Sequence, residues 1–552
     1  MKIDKRDICG LFAVLFVALI CEIVFFYKQG TPMVDIGREF YIAQRVSEGG
    51  VLYKDIFNIY GPLSYQINAL LFLIFGQHTH VLYLFGNLVG LLLIGSTYLL
   101  SRLYLDRFYS ICVALFMIFT GICSAKIFNL VVPYSFGATY GLLMVIISLI
   151  LFIKFIRDDE KIKYYYGSVF FAGAAFCTKY DFLLYVMGLL ISVLLVKRVS
   201  FSVFVKGFLF FSIMPLVSIA QLFIAGLNIQ DIINSVELFK DITSAPSLAY
   251  FYKNARVYPT VEAILYNIRN LVLFAFVLVG SYFVLNKLDG KKRYWFVFVN
   301  IFLVTFLFSF FFNYLKNFSF LPIVILCLLI FLNKQIEDKS IWVFCISTLF
   351  ISAKKIFYVD CAFYSVFFIS LLILSAIVLF EKYLIKNHKL FKRMIVALML
   401  VFFIPQLFAE KNSFVHYRYK VQTPKGVMLF GRETHPTRLL LDIVSNKTKK
   451  DDSVVILPEG HIINFLTDRK TDDMYSNLIP MYVEAFGEKK IIEHYRQNMP
   501  TYFVISTENY SVYGKTFFCK DYALNFCSWV FNNYHLEYKI IGMPSYFVLR
   551  KN

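Results

Sequence analysis

Residues 33–63 read MVDIGREFYIAQRVSEGGVLYKDIFNIYGPL, a stretch of carboxylates, arginines and tyrosines set between long apolar runs. Asp35 stands a few residues beyond the first run, where a partly desolvated carboxylate can take the proton of a hydroxyl, as general base catalysis requires. Asp is also a preferred helix N-cap, and that role explains the same residue without excluding the first. Basic groups recur at equivalent places: Arg38 and Arg45, Lys179 in CTKYD, Lys316 in NYLKN, and Lys354 with Lys355. Charges at the ends of spans serve as interfacial anchors. Brought to one depth and joined by Tyr hydroxyls, the same charges form a cradle for a phosphate. Lys179 and Asp181 fit a local ion pair equally well.

The elements that must position these groups are membrane spans. The chain is 59% hydrophobic and 16% charged, outside the range of soluble domains. Its apolar runs repeatedly approach the roughly 20 residues that a helix needs to cross the hydrocarbon layer. They fall near residues 8–27, 80–101, 108–125, 135–156, 164–178, 182–196, 203–225, 266–286, 294–312, 318–333, 341–353, 361–380 and 394–409, about thirteen spans in all. The first is too long for a signal peptide and lacks a small-residue cleavage site, so it reads as an uncleaved span. A net charge of +19 follows from Lys and Arg in cytoplasmic loops and implies no nucleic acid. No Walker-type loop, HExxH or CxxC occurs, which removes support for ATPase, zinc-protease and thioredoxin-like functions.

The Lys and Arg bias places the N-terminus in the cytoplasm. Residues 33–63, the Lys179–Asp181 corner, the 226–263 loop and everything after residue 410 then lie outside. The multispan part occupies residues 1–409 with its first outer loop at 28–79, and residues 410–552 alternate β-rich and helical patterns as an extracytoplasmic α/β domain. Within loop one, Ile36, Phe40, Ala43 and Ser47 have helical spacing, with Asp35 at the N-cap and Gly49 and Gly50 at the stop. A second helix begins at Pro62, and both are expected to rest on the membrane surface. The 226–263 loop is longer than a connection needs, which fits a cover over a substrate or a passive interfacial segment. Cys519 and Cys527 in the tail fit a disulfide or two free thiols.

The loop-one pattern D-I-G-R-E-F-Y-x-A-x-R-x-x-x-G-G-x-x-Y-x-D-x-x-x-x-Y-G-P-L-x-Y, followed by many spans and an α/β tail, resembles the GT-C glycosyltransferases. The nearest branch is family 39, the PMT-like enzymes related to protein O-mannosyltransferases and aminoarabinose transferases. CTKYD and LPEGHIINFLTDRK extend the likeness. The resemblance implies a polytopic α-helical GT-C fold in a bacterial plasma membrane. It implies transfer of a sugar, with inversion, from a polyprenyl-phosphate donor to a glycan, lipid or protein acceptor on the outer face. Asp35 maps onto the family's proposed base, and Arg38, Arg45, Tyr60, Lys179 and Lys316 become donor and phosphate contacts. No metal ligand is assigned, while related oligosaccharide transferases use a divalent metal. Two departures stand out: Ile36 follows Asp35 where the PMT-like pattern has Asp-Glu, and Tyr60 occupies the place of a Lys that contacts phosphate in the aminoarabinose branch. A transporter or flippase for a lipid-linked sugar is the alternative function, weakened by the scarcity of mid-span ionisable groups. A non-catalytic scaffold presenting the tail is a third.

Overall fold

The apolar runs fold as helices in the computed structural model. It describes residues 4–30, 32–124, 128–158, 161–196, 199–254, 320–353, 367–389, 391–396, 419–431 and 434–552, with scattered positions in 261–272 and at 399. Among the described residues four helices are long and apolar enough to cross a membrane: α1 (Lys5–Phe25), α4 (Thr79–Arg102), α6 (Phe136–Arg157) and α9 (Phe201–Ile224). Shorter helices accompany them: α5 (Arg107–Met117), α7 (Ile162–Thr178), α8 (Leu183–Leu195), α12 (Leu321–Phe331), α13 (Lys339–Ile351) and α14 (Ile369–Leu379). The expected spans at 266–286, 294–312 and 394–409 fall wholly or largely outside the described residues. α1 starts with a reciprocal cap in which the Asp4 carboxylate accepts from the Asp7 backbone N–H at 2.6 Å.

Charge separates the two ends of the bundle. At one end Asp7 pairs with Arg102 (2.9 Å) and Arg107 (3.5 Å), Arg157 with Asp338 (3.0 Å), and Lys392 with Asp106. The basic loops meet there. Loop one, the Lys179–Asp181 corner, the 226–254 segment and the tail gather at the other end.

Loop one forms α2 (Gly37–Ser47) and α3 (Leu63–Phe75), which starts at Pro62. The structure corrects two expectations about it. Asp35 caps nothing: the residue before α2 is Ile36, with no side-chain cap, and Asp35 sits in a wide turn, Pro32–Ile36. Nor does α2 rest on a membrane surface, because Ile36, Phe40 and Ala43 are completely buried. The tail covers it, with Phe40 edge-on to Phe465 (5.4 Å) and Phe72 of α3 stacked on the same ring (5.8 Å).

The tail opens with a hairpin, β1 (Tyr419–Thr423) and β2 (Gly426–Phe430), docked on the start of α4, where Thr79 donates from its N–H to Lys425 O (2.8 Å) and from its hydroxyl to Val427 O (2.9 Å). Then come α15 (Thr434–Lys447), β3 (Val454–Leu457), α16 (His461–Thr467), α17 (Pro480–Phe486), α18 (Glu488–Gln497), β4 (Tyr502–Ser506), α19 (Leu524–Asn533), β5 (Tyr534–Ile540) and β6 (Tyr546–Lys551). The sheet order is β3-β4-β6-β5, with β3 and β4 parallel and the other pairs antiparallel. A parallel pair needs a crossover, which α16–α18 supply. Every residue of β4 is buried, so both faces of the sheet are covered. On one face Phe503 and Ile505 pack with Tyr495 and Phe526. On the other, Val454, Ile456 and Val504 share a core with α2 and the membrane helices. Cys519 and Cys527 are disulfide-bonded.

The 226–263 loop folds as α10 (Ile229–Ser244) and α11 (Pro246–Asn254) and joins the tail. Ile242, Ala245 and Leu248 pack with Tyr482 and Phe486, and Ser247 donates to Glu484 through its N–H (2.9 Å) and hydroxyl (2.7 Å).

A salt bridge ties loop one to the tail. The Arg45 Nε lies 2.9 and 3.1 Å from the two oxygens of Asp473, which also accepts from the Tyr41 hydroxyl at 3.0 Å. Both members are largely shielded, so removing Arg45 leaves Asp473 with only the Tyr41 hydroxyl, and removing Asp473 leaves Arg45 with Glu48 alone. Arg45→Ala and Asp473→Ala are each expected to lower stability by about 2 kcal/mol. The double variant should lose no more than the worse single one, as thermal unfolding in detergent or nanodiscs would show.

Candidate active site

Loop one reaches the bundle by close backbone contact. A Cβ on Gly61 would lie 2.2 Å from Cys177 O, so only glycine lets the YGPL segment press against the end of α7. That contact brings the Tyr60 ring beside the next residues of α7 and its corner, with the Lys179 ammonium 5.2 Å from the ring centroid. Arg38 approaches the same ring at 5.4 Å. A half-buried phenol between two cations follows, since each cation is drawn to the ring face.

Each cation is held from more than one side. Lys179 hydrogen-bonds the Tyr134 hydroxyl and pairs with Asp181 at 3.2 Å. Arg38 pairs with Asp35 at 3.0 Å through one terminal nitrogen and donates to Tyr134 O at 3.1 Å through the other. Its Nε is buried without a partner among the described residues. Behind Arg38 stands Glu39, fully buried, accepting from the Tyr65 hydroxyl at 2.5 Å and from the Phe136 N–H at 2.9 Å. Burial pushes the Glu39 carboxyl above its ordinary range, against the opposing pull of Arg38 and these hydrogen bonds.

The tail forms the opposite wall. Its β3–α16 turn, Pro458–Gly460, lies against the start of α2, where a Cβ on Gly37 would meet the Ile462 backbone nitrogen at 2.7 Å. Glu459 on this turn accepts from the Tyr510 hydroxyl at 2.8 Å. Burial, reinforced by the nearby Asp35 charge, pushes the Glu459 carboxyl up to about 8. Burial raises the Tyr482 and Tyr513 hydroxyls as well, and the Asp35 charge adds to that rise. His461, next on the chain, bonds Ser476 at 2.9 Å, and burial lowers it to about 3, so it is a neutral packing group.

Of the residues singled out in the sequence, Asp35, Arg38, Tyr60 and Lys179 are brought together. Arg45 is not among them: Asp473 and Glu48 hold its guanidinium, because the tail offers a carboxylate there. Lys316 lies outside the described residues. Tyr134, Glu459, Tyr482, Tyr510 and Tyr513 were not singled out. For Glu459 a signal existed in the LPEG stretch, whereas a lone Tyr in an aromatic-rich chain carries none. Among the described residues no group of three or more His, Cys, Asp or Glu is placed to hold a metal ion.

The tight seat at Gly37 yields a direct test. Gly37→Ala forces its methyl into the Ile462 backbone and should cost about 1–3 kcal/mol, with the tail displaced from Asp35. Faster proteolysis of the tail and a lowered melting temperature would register it; an unchanged protein would mean that the turn yields freely.

Comparison with known proteins follows the same lines. The family model described as dolichyl-phosphate-mannose-protein mannosyltransferase matches residues 60–222. A search of curated protein sequences finds no match. Among solved structures, ArnT from Cupriavidus metallidurans in the apo state has a TM-score of 0.53 at 12% identity, covering 99% of this chain and 98% of that one. The same protein bound to undecaprenyl phosphate gives 0.52 at 12% identity, with 98% and 97% covered. The archaeal oligosaccharyltransferase AglB from Archaeoglobus fulgidus, in complex with an inhibitory peptide and a dolichol-phosphate, gives 0.50 at 11% identity, covering 99% of this chain and 74% of that one. The chain therefore has the fold of ArnT, and its residues 60–222 match the mannosyltransferase family model.

Proposed function

We propose that the protein is an integral membrane glycosyltransferase that moves a sugar from a polyprenyl-phosphate donor to an acceptor hydroxyl on the outer face of the membrane. The observation that carries this reading is the convergence of Asp35, Arg38, Tyr60 and Lys179 beneath the tail. The family-model match and the undecaprenyl phosphate bound to ArnT, a protein of the same fold, support it.

Asp35 takes the proton of the acceptor hydroxyl as its oxygen attacks the anomeric carbon. The bond from that carbon to the phosphate oxygen breaks, the configuration inverts, and polyprenyl phosphate leaves. Arg38 and Lys179 neutralise the charge that develops on the departing phosphate, a stabilisation that is largest in a site shielded from water. Lys179 thereby answers the departure at Tyr60: the cation missing from that position is supplied by the corner after α7, lying over the Tyr60 ring. Phosphate binding also competes with Asp35 for the Arg38 guanidinium. Loading the donor thus frees the carboxylate for the acceptor.

The test uses purified protein in nanodiscs with labelled undecaprenyl-phosphate-linked sugars and follows release of undecaprenyl phosphate. Asp35→Asn should cut turnover by about 10²–10⁴-fold while undecaprenyl phosphate still binds. Lys179→Met should instead weaken undecaprenyl phosphate binding by about tenfold or more. Unchanged turnover in Asp35→Asn would remove the base assignment, and movement of intact donor across the bilayer without cleavage would replace the enzyme by a transporter.

A further inference from the structure

Asp35 and the two cations account for the donor half of the site and leave the tail wall unused. Glu459 is held there with care. Leu478 N–H donates to Pro458 O at 2.7 Å, the Tyr510 hydroxyl holds Glu459 Oε1 at 2.8 Å, and the Gly37–Ile462 contact fixes the whole turn against loop one. Among the described residues the second carboxyl oxygen, Oε2, has no hydrogen-bond partner. The turn thus holds a half-buried carboxyl group with one oxygen bonded and the other open.

Aromatic rings flank it. Tyr513 is half-buried, Phe251 of α11 stacks on it at 5.2 Å, and Tyr510 follows at 6.5 Å. Phe57 of loop one meets Tyr482 edge-on at 4.9 Å. The cover made by α10 and α11 therefore contributes a ring to the same wall.

We infer that Glu459, with the Tyr513–Phe251 wall, forms the acceptor subsite and that the acceptor it takes is a carbohydrate. This rests on the glycosyltransferase reading above and adds the class of acceptor to it. A sugar ring offers hydroxyls to a carboxyl group and C–H faces to aromatic rings, the pairing of a few placed polar groups with an apolar wall that fixes orientation in ligand sites. Among the described residues, the charged and titratable groups around Glu459 include Asp35 and Arg38 from loop one and Tyr482, Glu508, Tyr510, Tyr513 and Tyr522 from the tail. Kept neutral up to about 8, Glu459 can donate a hydrogen bond through Oε2 as well as accept one. An acceptor held by Glu459 on one hydroxyl presents the neighbouring one to Asp35.

The experiment measures binding to the full-length protein in nanodiscs by saturation-transfer NMR. The probes are a panel of neutral mono- and disaccharides, a Ser/Thr-containing peptide, and undecaprenyl phosphate. The wild type should bind at least one saccharide, Glu459→Ala and Tyr513→Ala should weaken it by about tenfold, and undecaprenyl phosphate should bind all three alike. In the wild type, saccharide affinity should fall between about pH 7 and about pH 9 as Glu459 loses its proton and its donor. Glu459→Gln keeps the neutral amide, so it should bind as the wild type does at about pH 7 and show no such fall. A merely structural Glu459 would not produce that difference. The proposal is overturned if no saccharide binds the wild type, if the peptide binds in their place, or if Glu459→Gln keeps the pH dependence. Loss of undecaprenyl phosphate binding in the wild type would instead sink the glycosyltransferase reading itself.

Discussion

Glu39 is a carboxyl group with no exposure to solvent, and burying such a group is tolerated only when its oxygens are bonded. Tyr65 and the Phe136 N–H bond them, and the Arg38 guanidinium stands 3.6 Å away. Those partners belong to α3, α6 and α2 itself. Satisfying one carboxyl therefore sets the rotation of α2, the seat of α3 and the start of α6 together. Arg38, fixed between Glu39 and Tyr134, then has one direction left, toward Asp35 and Tyr60.

A second constraint is how near two backbones can come. Loop one touches the bundle at Gly61 and the tail at Gly37, and in both places a Cβ would fall inside a neighbouring backbone. These contacts set how closely loop one sits between the bundle and the tail. Side chains can adjust there, but the backbones cannot drift without opening the glycine contacts. The electrostatics follow from the same closeness, since the Asp35 charge raises Glu459 only because the tail turn is pressed onto α2.

Much of this architecture is legible in the sequence because it follows from local rules. Span lengths report helices, the Ile36, Phe40, Ala43 stripe reports α2, and the unbroken YFVI of β4 reports a strand covered on both faces. The Asp35–Arg38 pair is three residues apart and so nearly local. What periodicity cannot convey is which surface covers an amphipathic helix. A stripe of apolar residues fits a membrane surface and a protein surface equally, and here the tail, more than 400 residues on, covers α2. The N-cap expectation at Asp35 failed for a related reason: the Arg38 guanidinium, 3.0 Å away, offers the carboxylate a full opposite charge in place of a backbone N–H.

Arg38 and Arg45 show how far residue type alone can carry an assignment. They sit two helical turns apart on α2 with the same charge and similar burial. One meets a phenol, a carbonyl and the candidate base, and the other meets Asp473 of the tail. The division is useful to the protein, because the second arginine clamps the tail that supplies Glu459 to the first. Since the inner face of the tail sheet is continuous with the core of the bundle, the tail cannot lift away without exposing Val454, Ile456 and Phe465.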